Sequence, residues 1–367
     1  MKQDRARSDP VPLGRDGIRA APEGRDAQSA TRSVVTPQSF EPLDQLDLEI
    51  AAALQIQARA TWRQIAVAVG SNEHTVRRRG KRLLDSGIVR TTVIMDSILI
   101  EVRGLLQFTC GPVHALAVGR ALAKRGDVRF VALVTGPFDV VAEILAPTSR
   151  DLARVILEEL PAIPGISGTT TETVLRTFKT SYDWSREILG ERAASLDQPP
   201  FTDVKVDPAS LDGIDRRLVD RLRVDGRTSI ADLASSCGVT ESLARRRLEH
   251  LLSRSGVRPI ALVDPHVLGY DVELLLWLRV DLACLGQVAA ALAARREVRY
   301  ISATSGYRDL VCEVILRHQS DAYDFFTTVL ATLPGIRQVD TASELVTLKR
   351  AYFQVVGSGA GLESADG

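Results

Sequence analysis

The stretch IDRRLVDRLRVDGRTSIADLASSCG, residues 214–238, decides the fold because it has a counterpart earlier in the chain. Residues 46–70, LDLEIAAALQIQARATWRQIAVAVG, match it at an offset of 168 positions (214 against 46), and the arginine triplet 77–79 matches 245–247 at the same offset. The match continues to Lys179 and Lys349, where the offset has grown to 170. Because this period is much longer than a solenoid repeat, the sequence predicts two copies of one larger module.

The first half of the second module begins with a predicted amphipathic helix. Apolar residues recur between 214 and 222 at the spacing of one helix face. Asp212 or Asp215 is placed to cap this helix. Gly226 follows its end, and we interpret it as a left-handed helix stop.

Two further helices complete the pattern. A short helix is predicted over residues 229–236, Gly238 provides a tight turn, and Thr240 caps a longer helix over residues 241–254. Three helices with a short glycine turn between the second and third are typical of a helix-turn-helix domain. The first module repeats the pattern with helices near residues 44–57, 61–69 and 72–86, the last capped by Asn72.

The third helix of each domain is rich in arginine, which suits DNA binding because a guanidinium donates two parallel hydrogen bonds to phosphate or guanine. Residues 73–75 and 241–242, at the helix start, are placed for base contacts, whereas the arginines and the Thr61 and Ser229 hydroxyls are placed for phosphate. The alternative is a solvated basic face, and Gly80 weakens the first of these helices by roughly 1 kcal/mol relative to Ala. The predicted DNA contacts are Thr61, Glu73, His74, Thr75, Arg77, Arg78, Arg79, Lys81, Arg82, Ser229, Glu241, Ser242, Arg245, Arg246 and Arg247.

The second half of each module changes to a mixed pattern of strands and helices. The order β-α-β-β-α-β is that of a ferredoxin-like α+β domain. In the first module the elements are predicted at 105–108, 113–124, 128–134, 138–145, 150–160 and 165–175. In the second module they are predicted at 273–280, 285–294, 298–303, 309–316, 321–333 and 336–345.

A glycine joins the two middle strands of each α+β domain, in GPFD at 136–139 and GYRD at 306–309. Such a turn exposes backbone N–H groups that could bind a carboxylate. The alternative is a plain hairpin turn without a ligand. The spacing alone does not separate these two interpretations.

Composition bounds the remaining possibilities. The 46 basic and 46 acidic residues balance, which excludes a uniformly basic nucleic-acid coat. No apolar run is long enough for a membrane span, and the first 40 residues lack a secretory signal, so a cytoplasmic protein is expected. Cys110, Cys237, Cys284 and Cys312 have no metal-ligand spacing and are expected to be free thiols. No pattern of catalytic, metal-binding or cofactor-binding residues is evident.

The predicted domain boundaries follow from these patterns. They are a disordered arm at 1–41, a helix-turn-helix domain at 42–92, an α+β domain at 98–184, a linker at 185–209, a second helix-turn-helix domain at 210–260, a second α+β domain at 266–354 and a flexible tail at 355–367.

Taken together, these motifs resemble the Lrp/AsnC family of transcription regulators. The matching pieces include I-D-x-x-L-x-x-x-L-x-x-D-G-R-x-S at 214–229, G-P-F-D at 136–139 and L-P-G-I at 333–336, and the resemblance covers nearly everything but the termini and linker. Departures are Gln57-Ala58-Arg59 in place of Asp-Gly-Arg, and Arg308 within the second hairpin motif.

The resemblance implies a winged or helix-turn-helix domain that binds double-stranded DNA and α+β domains that pair into dimers and larger assemblies. It also implies that an amino acid or a similar small metabolite binds between the α+β domains, and an intramolecular pseudo-dimer is a natural consequence of the fusion. The implied effector-binding residues are Thr135, Gly136, Phe138, Asp139, Ser305, Gly306, Tyr307 and Asp309.

Two other functions remain open. Siroheme decarboxylases also resemble tandem modules of this family, but their His-Asn-Tyr and Tyr-Asn-x-Trp patterns are replaced here by FVALV at 130–134 and YISAT at 300–304. The second alternative is an architectural protein that bends DNA without a ligand. A change of DNA affinity on adding amino acids would separate a sensor from an architectural protein.

Overall fold

A computed structural model describes residues 43–94, 102–182, 184–196, 211–254, 256–351, 353–355 and 362–364. The arm predicted at 1–41 lies outside these residues. Among the helices described, none is both long and apolar enough to cross a membrane. The four cysteines are free thiols, as predicted.

The first helix-turn-helix, here called head one, consists of helices α1 (Gln45–Ile56), α2 (Trp62–Val69) and α3 (Glu73–Asp85). Each helix begins at a residue whose side chain accepts a hydrogen bond from the first turn, namely Asp44, Thr61 and Asn72. The boundaries lie within a residue or two of the predicted ones, because capping residues and the apolar stripe fix them locally.

The second helix-turn-helix, head two, repeats this arrangement with α6 (Gly213–Val224), α7 (Ile230–Cys237) and α8 (Glu241–Arg254). Asp212 is the N-cap of α6 and forms a reciprocal capping box with Asp215. Gly238 has a φ of 65°, which confirms its predicted role as the left-handed turn between α7 and α8.

A pair of strands that the sequence did not predict joins the two heads. Strand β1 (Val89–Ile94) pairs antiparallel with β6 (Arg258–Val263). Val93 packs into the core of head two, whereas Ala261 and Val263 pack into the core of head one. Each strand therefore completes the core of the other head, which ties the heads into one unit.

Gly226 serves a different purpose from the one predicted. It does not adopt a left-handed conformation, and Asp225, the residue that follows the end of α6, has an extended backbone. Its N–H donates to the Thr91 carbonyl, and a Cβ at this position would lie 2.6 Å from the Thr92 carbonyl oxygen. Glycine is required here because β1 passes directly over its backbone.

The two α+β halves have the predicted order of elements. The first half contains β2 (Val102–Cys110), α4 (Ala115–Ala123), β3 (Val128–Val134), β4 (Val140–Ala146), α5 (Ser149–Arg154) and β5 (Ile166–Lys179). The second half contains β7 (Val272–Val280), α9 (Leu285–Ala293), β8 (Val298–Ser305), β9 (Leu310–Leu316), α10 (Gln319–Asp324) and β10 (Ile336–Arg350). A π-helical and a 3-10 turn extend α5 and α10 to Ala162 and Thr332, respectively.

The last strand of each half is longer than predicted because it also pairs with the other half. β5 pairs with β8, and β10 pairs with β3. These two junctions close eight antiparallel strands into a ring in the order β3-β4-β2-β5-β8-β9-β7-β10. The two halves of one chain therefore form an intramolecular pseudo-dimer.

Side chains alternate between the two faces of this barrel. One face of each half is covered by its own helices, with Leu106 and Val131 in the first half and Leu276 and Ile301 in the second. The opposite faces meet inside the barrel, where Leu105, Val141, Leu275, Trp277 and Val311 form a shared cluster.

Part of the predicted linker and tail is ordered. Two 3-10 helices, Trp184–Ile188 and Gly190–Leu196, cover head one, and the Trp184 side chain enters its core. In the predicted tail, β12 (Leu362–Ser364) pairs with β11 (Phe353–Val355), which extends the sheet from β10.

Candidate nucleic-acid interface

The third helix of each head presents a pair of arginines to solvent. Arg77 and Arg78 on α3 are exposed, as are Arg245 and Arg246 at the equivalent positions on α8. Within the part of the chain that the structure describes, none of the four takes part in an ion pair. Their charges are therefore available to an anionic partner.

The third arginine of each triplet is used inside its own head. Arg79 forms ion pairs with Asp44 and Asp47, and Arg247 forms the same pairs with Asp212 and Asp215. Arg82 also bonds Asp47, whose side chain is 3% exposed. These residues, predicted as phosphate contacts, hold the third helix against the start of the first.

The other predicted DNA contacts lie at helix starts. Glu73, His74, Glu241 and Ser242 are exposed in the first turns of α3 and α8, whereas Thr75 is half-buried. Thr61 and Ser229 are exposed N-caps, and their hydroxyls accept from the Gln64 and Asp232 backbones. All of these side chains remain on the same heads as the arginine pairs.

A reciprocal exchange of arginines locks the two heads together. Arg59 donates to the backbone carbonyls of Gly226 and Thr228 in head two, at 2.6 and 3.2 Å. Arg227 donates to the carbonyls of Ala58 and Ala60 in head one, at 2.6 and 2.9 Å. Burial, and next the charge of Arg59, lowers the pKa of Arg227 to about 10, so the Arg227 guanidinium stays charged at neutral pH.

The junction is not symmetrical, because Arg227 also contacts the aromatic ring of Trp62 in head one. The Arg227 guanidinium lies 4.5 Å from the Trp62 ring, at a distance typical of a cation–π contact. The same ring occupies the space where a side chain at Gly80 would stand, since a Cβ there would lie 2.3 Å from a ring carbon. The glycine that weakens α3 in isolation therefore makes room for Trp62.

The first hairpin loop, predicted to bind an effector, contacts the opposite α+β half. The Thr135 N–H donates to the Ser343 carbonyl, and the Ser343 N–H donates to the Thr135 hydroxyl, both at 2.9 Å. Phe138 packs edge-on against Trp277, with ring centroids 6.0 Å apart. Asp139 accepts from the Cys110 N–H at 2.7 Å, which fixes the hairpin to β2.

The second hairpin loop is similar in backbone and different in chemistry. Asp309 accepts from the Val280 N–H at 2.8 Å, which matches the role of Asp139. Tyr307 is exposed, and the Arg279 and Arg308 guanidinium groups lie 5.1 and 3.8 Å from the centre of its ring. Gly306 packs against Glu172 of β5, and burial raises the pKa of the Glu172 carboxyl to about 6.

The barrel interior on the side of the second half contains a network of charged side chains that the sequence did not reveal. Arg299, 1% exposed, bonds both Glu273 and Glu313. Arg350 contacts the same two carboxylates and Glu344, at 2.9 to 3.4 Å. These three glutamates lie close enough to form a metal-ligand set, but the two arginines already bind their oxygens.

The pKa values of two glutamates in this network are shifted in opposite directions. Burial alone would raise the pKa of the Glu313 carboxyl, but the charges of Arg299 and Arg350 outweigh it and hold this pKa below its usual range. Burial, with Glu313 and Glu273 nearby, raises the pKa of Glu344 well above its usual range. The Glu344 carboxyl is therefore easier to protonate than the Glu313 carboxyl, although both are buried in the same network.

An open cavity of about 530 Å³ lies between the two halves beside this network. Its walls are mainly apolar and aromatic, with Phe130, Tyr182 and Tyr300 beside the ion-paired Arg129 and Arg350. None of the residues predicted to bind an effector lines this cavity.

Two domain families match this chain, each of them twice. The AsnC-type helix-turn-helix domain matches residues 43–84 and 211–252, and the Lrp/AsnC ligand binding domain matches residues 106–184 and 273–352. The chain belongs to the Lrp/AsnC family. Together the four matches cover more than half of its length, and they coincide with the two heads and the two α+β halves.

Several similar proteins correspond to one module of this Lrp/AsnC protein. The HTH-type transcriptional regulator FL11 of Pyrococcus horikoshii is 33% identical over 142 residues, which are 38% of this chain and 93% of the relative. The regulator Ptr1 of Methanocaldococcus jannaschii is 28% identical over 140 residues, which are 37% of this chain and 95% of the relative.

A solved structure resembles the Lrp/AsnC chain over both modules. The siroheme decarboxylase NirDL aligns with 83% of this chain and 93% of its own, with a TM-score of 0.56 and 14% sequence identity. At that identity the likeness concerns the fold alone. It indicates that the tandem arrangement occurs in another protein.

Proposed function

We propose that this chain is a sequence-specific DNA-binding transcription regulator in which two heads on one chain engage one operator. The observation that supports it is the placement of Arg77 with Arg78, and of Arg245 with Arg246, on the third helix of heads that are tied together. Recognition helices of this kind enter the major groove, and their arginines bind phosphate or guanine.

Geometry within the heads refines which residues do this. We assign phosphate binding to the exposed Arg77, Arg78 and Lys81 and to Arg245 and Arg246. Arg79, Arg82 and Arg247 instead orient the helix, since their guanidinium groups already bond buried aspartates.

The test is a titration of the full chain with duplex DNA at several salt concentrations. Changing both Arg77 and Arg78 to Ala should weaken binding and reduce the slope of log K against log salt by about 0.9 for each phosphate that the variant no longer neutralises. The matched control is Arg295→Ala with Arg296→Ala, an exposed pair on the α+β half. An equal effect of both double variants would contradict the assignment, and so would no binding at low salt.

We further propose that an amino acid or related metabolite binds at the hairpin loops and changes the assembly of the α+β halves. Each loop contacts the last strand of the opposite half. A ligand bound at a loop would therefore alter the contacts between the two halves. Calorimetric titration with a panel of amino acids tests this, with Tyr307→Ala as the site variant and the exposed Val113→Ala as control. An effector must also shift DNA affinity, since otherwise the protein is architectural.

Chains of this protein are also proposed to associate through the outer surface of the α+β halves. Leu157, Leu282 and Tyr323 are 74%, 80% and 71% exposed on the α+β halves, which leaves these side chains available to a second chain. Sedimentation of the full chain, with and without Leu157→Ser, measures this association. A monomer at all concentrations would exclude it.

We infer that the chain is not a siroheme decarboxylase, although it shares the fold of one. The stretches 130–134 and 300–304 lack the His-Asn-Tyr and Tyr-Asn-x-Trp patterns and form β3 and β8. An absorbance titration with siroheme, followed by product analysis, tests this inference. Removal of carboxylates from the substrate would overturn it.

A further inference from the structure

The two heads share a backbone but present different side chains to a groove. Lys81 on α3 and Glu249 on α8 occupy the same position of the repeat, and both are exposed. They lie one helical turn beyond the shared arginine pairs, on an adjacent part of the surface. One head therefore presents a cation where the other presents an anion.

The starts of the third helices differ as well. His74 and Ser242 are both exposed at equivalent positions, and Thr75 corresponds to Leu243. An imidazole and a hydroxyl form different hydrogen bonds with base edges. A leucine forms none, and it offers only apolar contact, such as that with a thymine methyl group.

The second helices extend the difference in charge. Exposed Arg63 in the first turn of α2 corresponds to exposed Ala231 in α7. Likewise, Gln64 corresponds to Asp232, each at the third position of its helix. At each of these positions head one is the more basic, so a DNA backbone that contacts the second and third helices attracts head one more strongly.

Because of the junction between the heads, one chain alone supplies a pair of DNA-binding heads. Strands β1 and β6, together with the Arg59 and Arg227 exchange, hold one head of each kind side by side. In a homodimer, two identical heads related by a twofold axis read a palindrome. Here the axis is only approximate, because the paired side chains differ.

We propose that this chain reads a non-palindromic operator with two unlike half-sites, in which head one supplies the larger share of the affinity. The inference rests on the proposed DNA-binding function. His74 and Thr75 specify one half-site, Ser242 and Leu243 specify the other, and the contrast between Lys81 and Glu249 sets their relative strength.

The experiment is selection of duplexes from a randomised library by the full chain. The expected result is two different half-site sequences whose centres are separated by one helical turn of DNA or a multiple of it. Identical inverted half-sites would overturn the proposal. Failure to select or bind any duplex at low salt would instead count against the DNA-binding function itself.

Exchanging residues between heads then assigns the half-sites. Ser242→His with Leu243→Thr should convert the second half-site into the first and make a palindrome the preferred duplex. The exposed Glu249→Lys should raise affinity several-fold and steepen the salt slope by about 0.9, whereas Lys81→Glu should do the reverse. Retention of the original second half-site by the Ser242 and Leu243 variant, or an unchanged slope in the Glu249 variant, would overturn the assignment. Circular dichroism verifies that each variant is folded.

Discussion

In the first α+β half, the barrel interior contains a buried ion pair between Arg129 and Glu143, whereas in the second half Arg299 and Arg350 are shared among three glutamates. The pair Arg129–Glu143 and the pair Arg299–Glu313 occupy equivalent positions in the repeat. Two further charged residues of the second half have no charged counterpart in the first, since Glu344 corresponds to Val174 and Arg350 to Thr180.

This difference distinguishes an ion pair that both halves share from interactions that are found in the second half. The arginine–glutamate pair present in both halves bridges neighbouring strands β3–β4 and β8–β9, so it belongs to the shared framework. The heads differ in a comparable way, because head one has Trp62 packed over Gly80 where the second copy has Ile230 and Leu248.

The largest expected effect comes from breaking the larger network. Arg299→Met removes the main partner of two buried carboxylates, and we expect the free energy of unfolding to fall by about 3–5 kcal/mol. Urea unfolding measures this decrease. The matched variant Arg129→Met strands one carboxylate and should cost less, so an equal or larger cost for Arg129→Met would contradict the distinction between the halves.

A smaller decrease is expected where β1 crosses head two. In Gly226→Ala, the new Cβ meets the Thr92 backbone, which cannot move aside without disturbing the β1–β6 pair, and we expect a cost of about 3 kcal/mol. Thermal unfolding provides the measurement. Head one already has alanine at the equivalent position, Ala58, so Ala58→Gly should cost only about 1 kcal/mol. Equal costs for the two changes would refute the crowding argument.

The packing of Trp62 over Gly80 predicts that the effect of Gly80→Ala on the free energy of unfolding changes sign when Trp62 is replaced. Gly80→Ala alone should destabilise head one by about 2 kcal/mol, because the ring must shift. In a Trp62→Ile background the same substitution should stabilise the protein by about 1 kcal/mol, since alanine is the better helix former. A double-mutant cycle in urea measures the coupling, and additive effects would argue against direct packing.

The smallest effect concerns Glu172, whose counterpart in the other half is Ala342. Because burial raises the pKa of this carboxyl to about 6, the folded state favours the protonated form. The contribution of the protonated Glu172 carboxyl to the free energy of unfolding is fully present below the unfolded pKa near 4.5. It is lost as pH rises through 6. Glu172→Gln should therefore gain about 1 kcal/mol over the wild type between about pH 4.5 and pH 7.

Unfolding free energies measured from about pH 4 to pH 8 test this dependence. The exposed Glu158→Gln serves as the control. A Glu172→Gln curve parallel to that of the wild type would show that the carboxyl does not control this stability.

Local pattern predicted much of the fold correctly. The helix starts at Asp44, Thr61, Asn72 and Asp212 could be read from capping residues followed by an apolar stripe, and the order of strands and helices followed from the change of periodicity. The candidate site was located only to the helix, since exposed and ion-paired arginines are alike in sequence. Arg78 and Arg79 are neighbours, yet one is exposed and the other bonds Asp44 across the head.

The sequence by itself determined the duplication, the two kinds of domain and the family, because these depend on residues close together in the chain. Only the tertiary structure decided the β1–β6 exchange, the reason for Gly226, the closing of the barrel and the grouping of Glu273, Glu313 and Glu344 around two arginines. Each of these joins segments that are distant in sequence. Their contacts leave no local periodicity, so folding alone brings them together.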